Sequence, residues 1–177
     1  YRLKSAMRGG GNGVVFEATC YGPDGRDKGD CAVKLLKELS DKRQDRFRNE
    51  VRILKELDHE KITRCFDHGV VTLGVQRIDV PWIAMSLGHE NLWQYMENNR
   101  PLPPKLAVGV ATQICNALMH VHERSIIHRD LKPANIVWNT EDDRENIFLI
   151  DFGIAKFVGE DVSGRPMDHF TSLKKFV

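Results

Sequence analysis

The chain has 177 residues, with 26 Lys plus Arg against 25 Asp plus Glu and a formal net charge of +1. That length buries one core or two small lobes sharing an interface, and the near-neutral balance gives no reason to expect nucleic acid or a membrane surface as principal partner. No long apolar span and no collagen-like repeat occur, which excludes the transmembrane and fibrous classes.

From Tyr1 to Leu36 the apolar runs "GVVFEATC" and "CAVKLL", separated by the turn "YGPDGRDKGD" and preceded by the Gly-rich "RGGGNG", predict three antiparallel strands. The stretch "LSDKRQDRFRNEVRILKELD" then places Phe47, Val51, Leu54 and Leu57 at spacings of 4, 3 and 3, the stripe of an amphipathic helix, with Ser40 or Asp41 as its cap. "ITRCFDHGVV" and "RIDVPWIAMSL" read as two more strands, so residues 1–87 form a small lobe of five strands and one helix, joined by Gly88 and His89 to the remainder, 88–177. There the period turns helical. "ENLWQYMENN" predicts a short helix closed by Pro101, and the next segment sets Leu106, Val110, Ile114, Leu118 and Val121 on one helical face. "NIVW" and "NIFLID" flank "NTEDDRE" as a hairpin, and no sustained period follows Gly153, which predicts a loop. Cys20, Cys31, Cys65 and Cys115 are scattered without a C-x-x-C pair, and no signal peptide is present, so buried, reduced thiols in a cytoplasmic protein are expected.

Chemistry-bearing residues concentrate in a few places. The Gly-rich turn around Gly10 and Gly13 lets backbone N–H groups approach phosphate oxygens, but it lacks the G-K-[ST] ending of a phosphate loop that opens a helix and runs on as a strand. Lys34 lies in an otherwise apolar run and needs an anionic partner; Glu50, near the apolar edge of the first helix, is the candidate. The five basic residues Lys42, Arg43, Arg46, Arg48 and Arg52 read mainly as a solvated helix face with pairs such as Arg46 to Glu50 and Arg52 to Glu56. If Arg46 takes Glu50, Lys34 loses it, and the two arrangements correspond to helix-out and helix-in states. In "HRDLKPANIV", Asp130 and Asn135 stand five apart, and Asp151 ends an apolar run; carboxylate and amide oxygens of this kind suit Mg2+ and proton transfer.

Taken in chain order, the glycine-rich loop, the strand Lys34, the helix Glu50, "HRDLKPAN" and "DFG", whose Asp151 lies 21 residues after Asp130, resemble the protein kinase family, and the "LKP" run resembles its serine/threonine branch. The resemblance implies an α+β, bilobal fold: a five-stranded antiparallel lobe with one helix, followed by the first part of a mainly helical lobe. It implies ATP and Mg2+ as cofactors and transfer of the γ-phosphoryl group to Ser/Thr hydroxyls of a protein substrate, with autophosphorylation. Lys34 would hold the α and β phosphates and be positioned by Glu50; Asp130 would accept the substrate proton; Lys132 would neutralise the transferring group; Asn135 and Asp151 would hold Mg2+. Gly10 and Gly13 would cover the phosphates. Val15, Ala32 and Val137 would sandwich adenine, and Met85 to Gly88, including Leu87, would bond its edge, with Met85 guarding the back of the pocket. His128 would be a packing residue beside Phe152. Arg129 would pair with a phosphate on Ser163, Thr171 or Ser172, with phosphorylation expected at Thr171 or Ser172.

The pattern departs from the family at Arg8, which stands at the first glycine of the loop, at Asn12 on its tip, and in the absence of an A-P-E motif and the helices after it. A chain cut inside the activation segment is expected to keep the cleft while exposing apolar faces that favour self-association. Two other functions share these residues: a catalytically silent kinase-like regulatory module, and a small-molecule kinase of the aminoglycoside phosphotransferase type.

Overall fold

The computed structural model describes residues 1–7, 13–98, 102–138 and 146–159. Arg8, Gly10, Asn12, Pro101, the turn "NTEDDRE" and the three hydroxyl residues Ser163, Thr171 and Ser172 lie outside the described residues.

Five strands, β1 (Arg2–Ala6), β2 (Val14–Tyr21), β3 (Asp27–Leu35), β4 (Cys65–Leu73) and β5 (Ile78–Met85), form one antiparallel sheet in the order β1-β2-β3-β5-β4. The helix α1 (Asp41–Glu56) lies between β3 and β4 in sequence. Period-two alternation sorts the side chains. Val15 faces Lys34 across the β2–β3 ladder, and Ala32 and Lys34 face Met85 and Ile83 across β3–β5, so these side chains share a face. Ala32, Ile83 and Met85 join one core with Phe47, Ile53 and Leu54 of α1. The other face buries Ala18, Cys31, Val33 and Ala84 under Cys20, Leu35 and Trp82. At the entry to β2, a Cβ on Gly13 would lie 2.6 Å from the Leu35 carbonyl oxygen, so only glycine allows that approach of β2 to β3.

The remaining elements are helical or short: α2 (Leu92–Asn98), α3 (Pro104–Glu123), β6 (Ile126–Ile127), a 3-10 turn (Pro133–Asn135), β7 (Ile136–Trp138), β8 (Ile147–Leu149) and β9 (Lys156–Phe157). With three α-helices among the described residues and a sheet-rich first lobe, the expected α+β kinase-like architecture is observed. β7 and β8 pair as the expected antiparallel hairpin. A reciprocal box starts α2: the Asn91 N–H donates to Gln94 Oε1 at 3.0 Å and the Gln94 N–H to Asn91 Oδ1 at 2.9 Å.

Four expectations change. Ser40 does sit at the N-cap of α1, but its hydroxyl donates to Glu38 at 3.1 Å and makes no capping bond. The buried α1 stripe includes Ile53 and the charged Glu50, while Val51 is only half-buried. The segment after Gly153 is not all loop, since Ile126 and Ile127 pair antiparallel with Phe157 and Lys156; two residues are too few to show a period. All four cysteines are free, but only Cys31 is buried, with burial pushing its thiol up to about 12, whereas Cys115 is exposed.

One core cluster runs from Ala32 and Phe47 through Ile62 to Trp138, Leu149 and Phe152, so it continues across both lobes. The chain after α1 is stitched to the lower lobe. Thr63 N–H donates to the Leu149 carbonyl (2.8 Å), Leu149 N–H to the Lys61 carbonyl (2.9 Å), and Lys61 Nζ to Asn146 Oδ1 (2.7 Å). From the C-cap of α3, Arg124 Nε donates to the Glu56 carbonyl at 3.1 Å, satisfying an orphan acceptor at the end of α1.

Candidate active site

The strand β3 delivers Lys34 to the face covered by α1, where the residue is 7% exposed. Its Nζ donates to both oxygens of Glu50, itself 3% exposed, at 2.7 and 2.8 Å. Asp151 Oδ1 lies 3.7 Å from the same nitrogen. Burial alone would lower the Lys34 ammonium, but Glu50 and then Asp151 outweigh it and hold it protonated above its ordinary range. Burial also raises the Glu50 carboxyl, against the pull of Lys34. With two contacts under 3 Å we take the pair as ionic.

The Arg46–Glu50 pairing is therefore not the arrangement adopted, and α1 is in its helix-in state. Leaving Lys34 buried without a partner would cost far more than leaving Arg46 to water. Elsewhere the basic face behaves as a solvated one, with Arg48 on Asp45 at 2.6 Å and Arg43 on Glu38 at 3.4 Å.

Below, "HRDLKPAN" folds into a tight hydrogen-bonded loop. His128, 2% exposed, accepts from the Asp130 N–H through Nδ1 (3.2 Å), which leaves Nε2 to donate to the Ile150 carbonyl (3.1 Å). Burial lowers its pKa and keeps the ring neutral. Its ring packs edge-on to Phe152 at 4.6 Å, as expected of a packing histidine. Asp130 Oδ2 accepts from Lys132 Nζ (2.7 Å) and Asn135 Nδ2 (2.9 Å), and the same amide donates to the Asp130 carbonyl (2.8 Å). Burial would raise this carboxyl, but the bonds from Lys132 and Asn135 prevail and hold it below the usual carboxylate range. Hydrogen bonding to Asp130 in turn raises Lys132. Two non-glycine residues at the site have left-handed backbones, Arg129 with φ +63° and Asp151 with φ +62°. Such conformations persist where surrounding contacts over-determine them: Arg129 Nε donates to the Ile154 carbonyl at 2.6 Å, and Asp151 Oδ1 accepts from the Gly153 N–H at 3.3 Å.

The residues expected to enclose adenine are found where the two lobes meet. Ala32, Met85 and Val137 are buried, and Val15 and Leu87 are half-buried. Gly88 is packed so closely on Val137 that a Cβ would fall 2.6 Å from Val137 Cγ2. The chain beyond it is tied to β7 through Trp138 N–H to the Glu90 carbonyl at 3.0 Å.

The description "Protein kinase domain" belongs to a family model that matches residues 1–177. The chain belongs to the protein kinase family. This kinase chain is 35% identical over 167 residues to a protein named as a probable serine/threonine-protein kinase of Corynebacterium efficiens, covering 92% of this chain and 24% of that one. It is 34% identical over 161 residues to the serine/threonine-protein kinase PrkC of Bacillus subtilis, covering 88% and 22%. A third relative, serine/threonine-protein kinase D2 of Homo sapiens, is 33% identical over 148 residues, with 79% and 16% covered. The chain thus spans about a quarter or less of the length of these relatives.

In this kinase fold Lys34, Glu50 and Asp151 meet at one point, and Asp130, Lys132 and Asn135 at another, joined by the Ile150 N–H to Asn135 carbonyl bond of 3.0 Å. Among the described residues no group of three or more His, Cys, Asp or Glu side chains suits a metal ion. The residues that would hold Mg2+ are Asp151 and Asn135, the side-chain NH2 of the latter being committed to Asp130. One carboxylate and one amide fit Mg2+ when phosphate oxygens complete its shell. Asn49, whose side-chain amide donates to the Ala155 carbonyl at 2.8 Å, escaped the sequence reading, because a polar residue between helix charges gives no signal of a partner 106 residues away.

Proposed function

We propose that this chain forms the nucleotide-binding and catalytic part of an ATP- and Mg2+-dependent protein kinase acting on Ser/Thr hydroxyls, with autophosphorylation among its reactions. The observation that carries the reading is the Asp130 carboxylate, held ionised by Lys132 and Asn135 beside a second acid, Asp151, that faces the Lys34–Glu50 pair. An ionised, oriented carboxylate is suited to accept the proton of an attacking hydroxyl. Lys132, anchored on Asp130, adds positive charge where a transferring phosphoryl group carries negative charge. Lys34, fixed by Glu50, would hold the α and β phosphates, and Gly10 and Gly13 would cover them. Val15, Ala32, Met85, Leu87 and Val137 would receive the adenine ring. Asn135 and Asp151 would hold Mg2+, which when bound neutralises phosphate charge.

Arg129 would meet an activating phosphate on Thr171 or Ser172. Its Nε already holds the Ile154 carbonyl, so the reading uses the other guanidinium nitrogens. Free thiols support a cytoplasmic place. Exposed Val108 and Met119 on α3 support association between chains.

The test is phosphoryl transfer from labelled ATP with Mg2+ by the full-length protein, wild type against Asp130→Ala. A loss of 100-fold or more is expected, on the order of what general-base catalysis supplies. Equal rates would overturn the reading and leave a catalytically silent module; transfer to aminoglycosides and not to proteins would favour the small-molecule kinase.

A further inference from the structure

The pairing of β4 with β5 ends in an unusual way. Cys65 faces Met85 across this ladder, so Arg64 and Ser86 are the next two residues to meet. The Ser86 N–H donates to the Arg64 carbonyl at 3.1 Å, which is one half of the exchange that a hydrogen-bonded antiparallel pair makes. The other half would carry the Arg64 N–H to the Ser86 carbonyl. It goes instead to the Ser86 hydroxyl oxygen, also at 3.1 Å.

The side chain of Ser86 thus stands in for its own backbone carbonyl, as a hydroxyl oxygen with two acceptor lone pairs can. Arg64 is satisfied, the ladder stops, and among the described residues no hydrogen bond ends on the Ser86 carbonyl. The segment that carries this carbonyl is fixed from both sides. Met85, immediately before it, is buried with Ala32; after it Gly88 presses on Val137, and the Glu90 carbonyl takes the Trp138 N–H at 3.0 Å. A backbone carbonyl left unpaired next to buried apolar residues is an acceptor open to the donor of a ligand, and the exocyclic amine of adenine is such a donor.

We infer that Ser86 is a positioning residue for the nucleotide: its hydroxyl occupies the Arg64 N–H and so keeps its own carbonyl available to the amine on the adenine ring. The inference rests on the kinase reading for the identity of the ligand, whereas the exchange of acceptors at Arg64 is a property of the fold. In Ser86→Ala the Arg64 N–H loses its acceptor, and the carbonyl of residue 86 takes it by completing the pair, at the expense of the ligand.

The experiment titrates the full-length wild type, Ser86→Ala and Ser86→Thr by calorimetry with two nucleotides in the presence of Mg2+: ATP, and purine riboside triphosphate, which carries hydrogen in place of the amine. Loss of one hydrogen bond weakens binding by about fivefold, which is about 1 kcal/mol at 1.36 kcal/mol per tenfold. Ser86→Ala is expected to weaken ATP by that factor and to leave purine riboside triphosphate unchanged. Ser86→Thr keeps the hydroxyl and is expected to bind both nucleotides as the wild type does. An equal loss for both nucleotides in Ser86→Ala would mean that the hydroxyl only supports the backbone, and would overturn the inference. So would no loss for either nucleotide, or a loss of ATP binding in Ser86→Thr as large as that in Ser86→Ala. Failure of the kinase reading shows separately, as ATP binding without Asp130-dependent transfer in the wild type.

Discussion

Replacing Glu50 by Leu removes the anionic partner of a lysine that is 7% exposed. Breaking a buried pair by deleting one member costs about 3–5 kcal/mol, because the other charge stays uncompensated. Asp151, 3.7 Å from Lys34 Nζ, retains part of the compensation, which puts Glu50→Leu at the low end, about 3 kcal/mol. At about 2–4 °C per kcal/mol for a domain of this size, the kinase-domain transition should fall by about 6–12 °C. Lys34→Met should cost less at low pH, because burial already raises the Glu50 carboxyl and a protonated Glu50 needs no counter-charge. The sign follows from linkage. A folded-state pKa above the ordinary 4.5 gives stability that is full below that value and is lost as pH rises toward the folded value, so Lys34→Met weakens with rising pH. The double variant Lys34→Met/Glu50→Leu leaves no buried charge at this position and should recover to within about 1 kcal/mol of wild type while remaining inactive. Thermal unfolding of the four proteins closes the cycle. A double variant as unstable as the two single costs added together would refute the ionic pair.

Gly88→Ala sets a methyl group 2.6 Å from Val137 Cγ2, and such overpacking costs about 1–3 kcal/mol; Val137→Ala in the same chain should restore the melting temperature, and a failure to do so would mean the strain lies elsewhere. His128 is neutral in the fold and its pKa is lowered chiefly by burial, so it contributes stability that is full above the ordinary 6.5 and is lost as pH falls through the folded value. His120, lowered by burial and by Arg124, acts with the same sign. Melting temperatures between pH 7.5 and 5 should therefore fall with acid in the wild type and fall less steeply in His128→Phe; parallel curves would contradict this.

Much of the site was legible in the sequence, for reasons that are local. Lys34 stands out because a charge in an apolar strand demands a partner, and Asp130, Lys132 and Asn135 do because polar residues beside "IIHRD" and "NIVW" must be bonded to each other or to a ligand. Which partner Lys34 takes was not legible. Arg46 and Lys34 are both within reach of Glu50 on paper, and the choice turns on burial, which a sequence does not display. The same holds for Ser40, at the cap position but bonded to Glu38, and for β9, whose pairing with β6 depends on the turn made at Asp151 and Gly153.

The sequence by itself determined the family, the five strands with one helix, and the identity of the acids, amide and lysines available for chemistry, because periodicity and residue type are properties of short stretches. Only the tertiary structure decided that α1 sits inward, that Gly88 presses on Val137, and that Asn49 reaches across 106 residues to Ala155. Each of these depends on which surfaces lose water when the lobes close on one another, and desolvation is set by the whole fold.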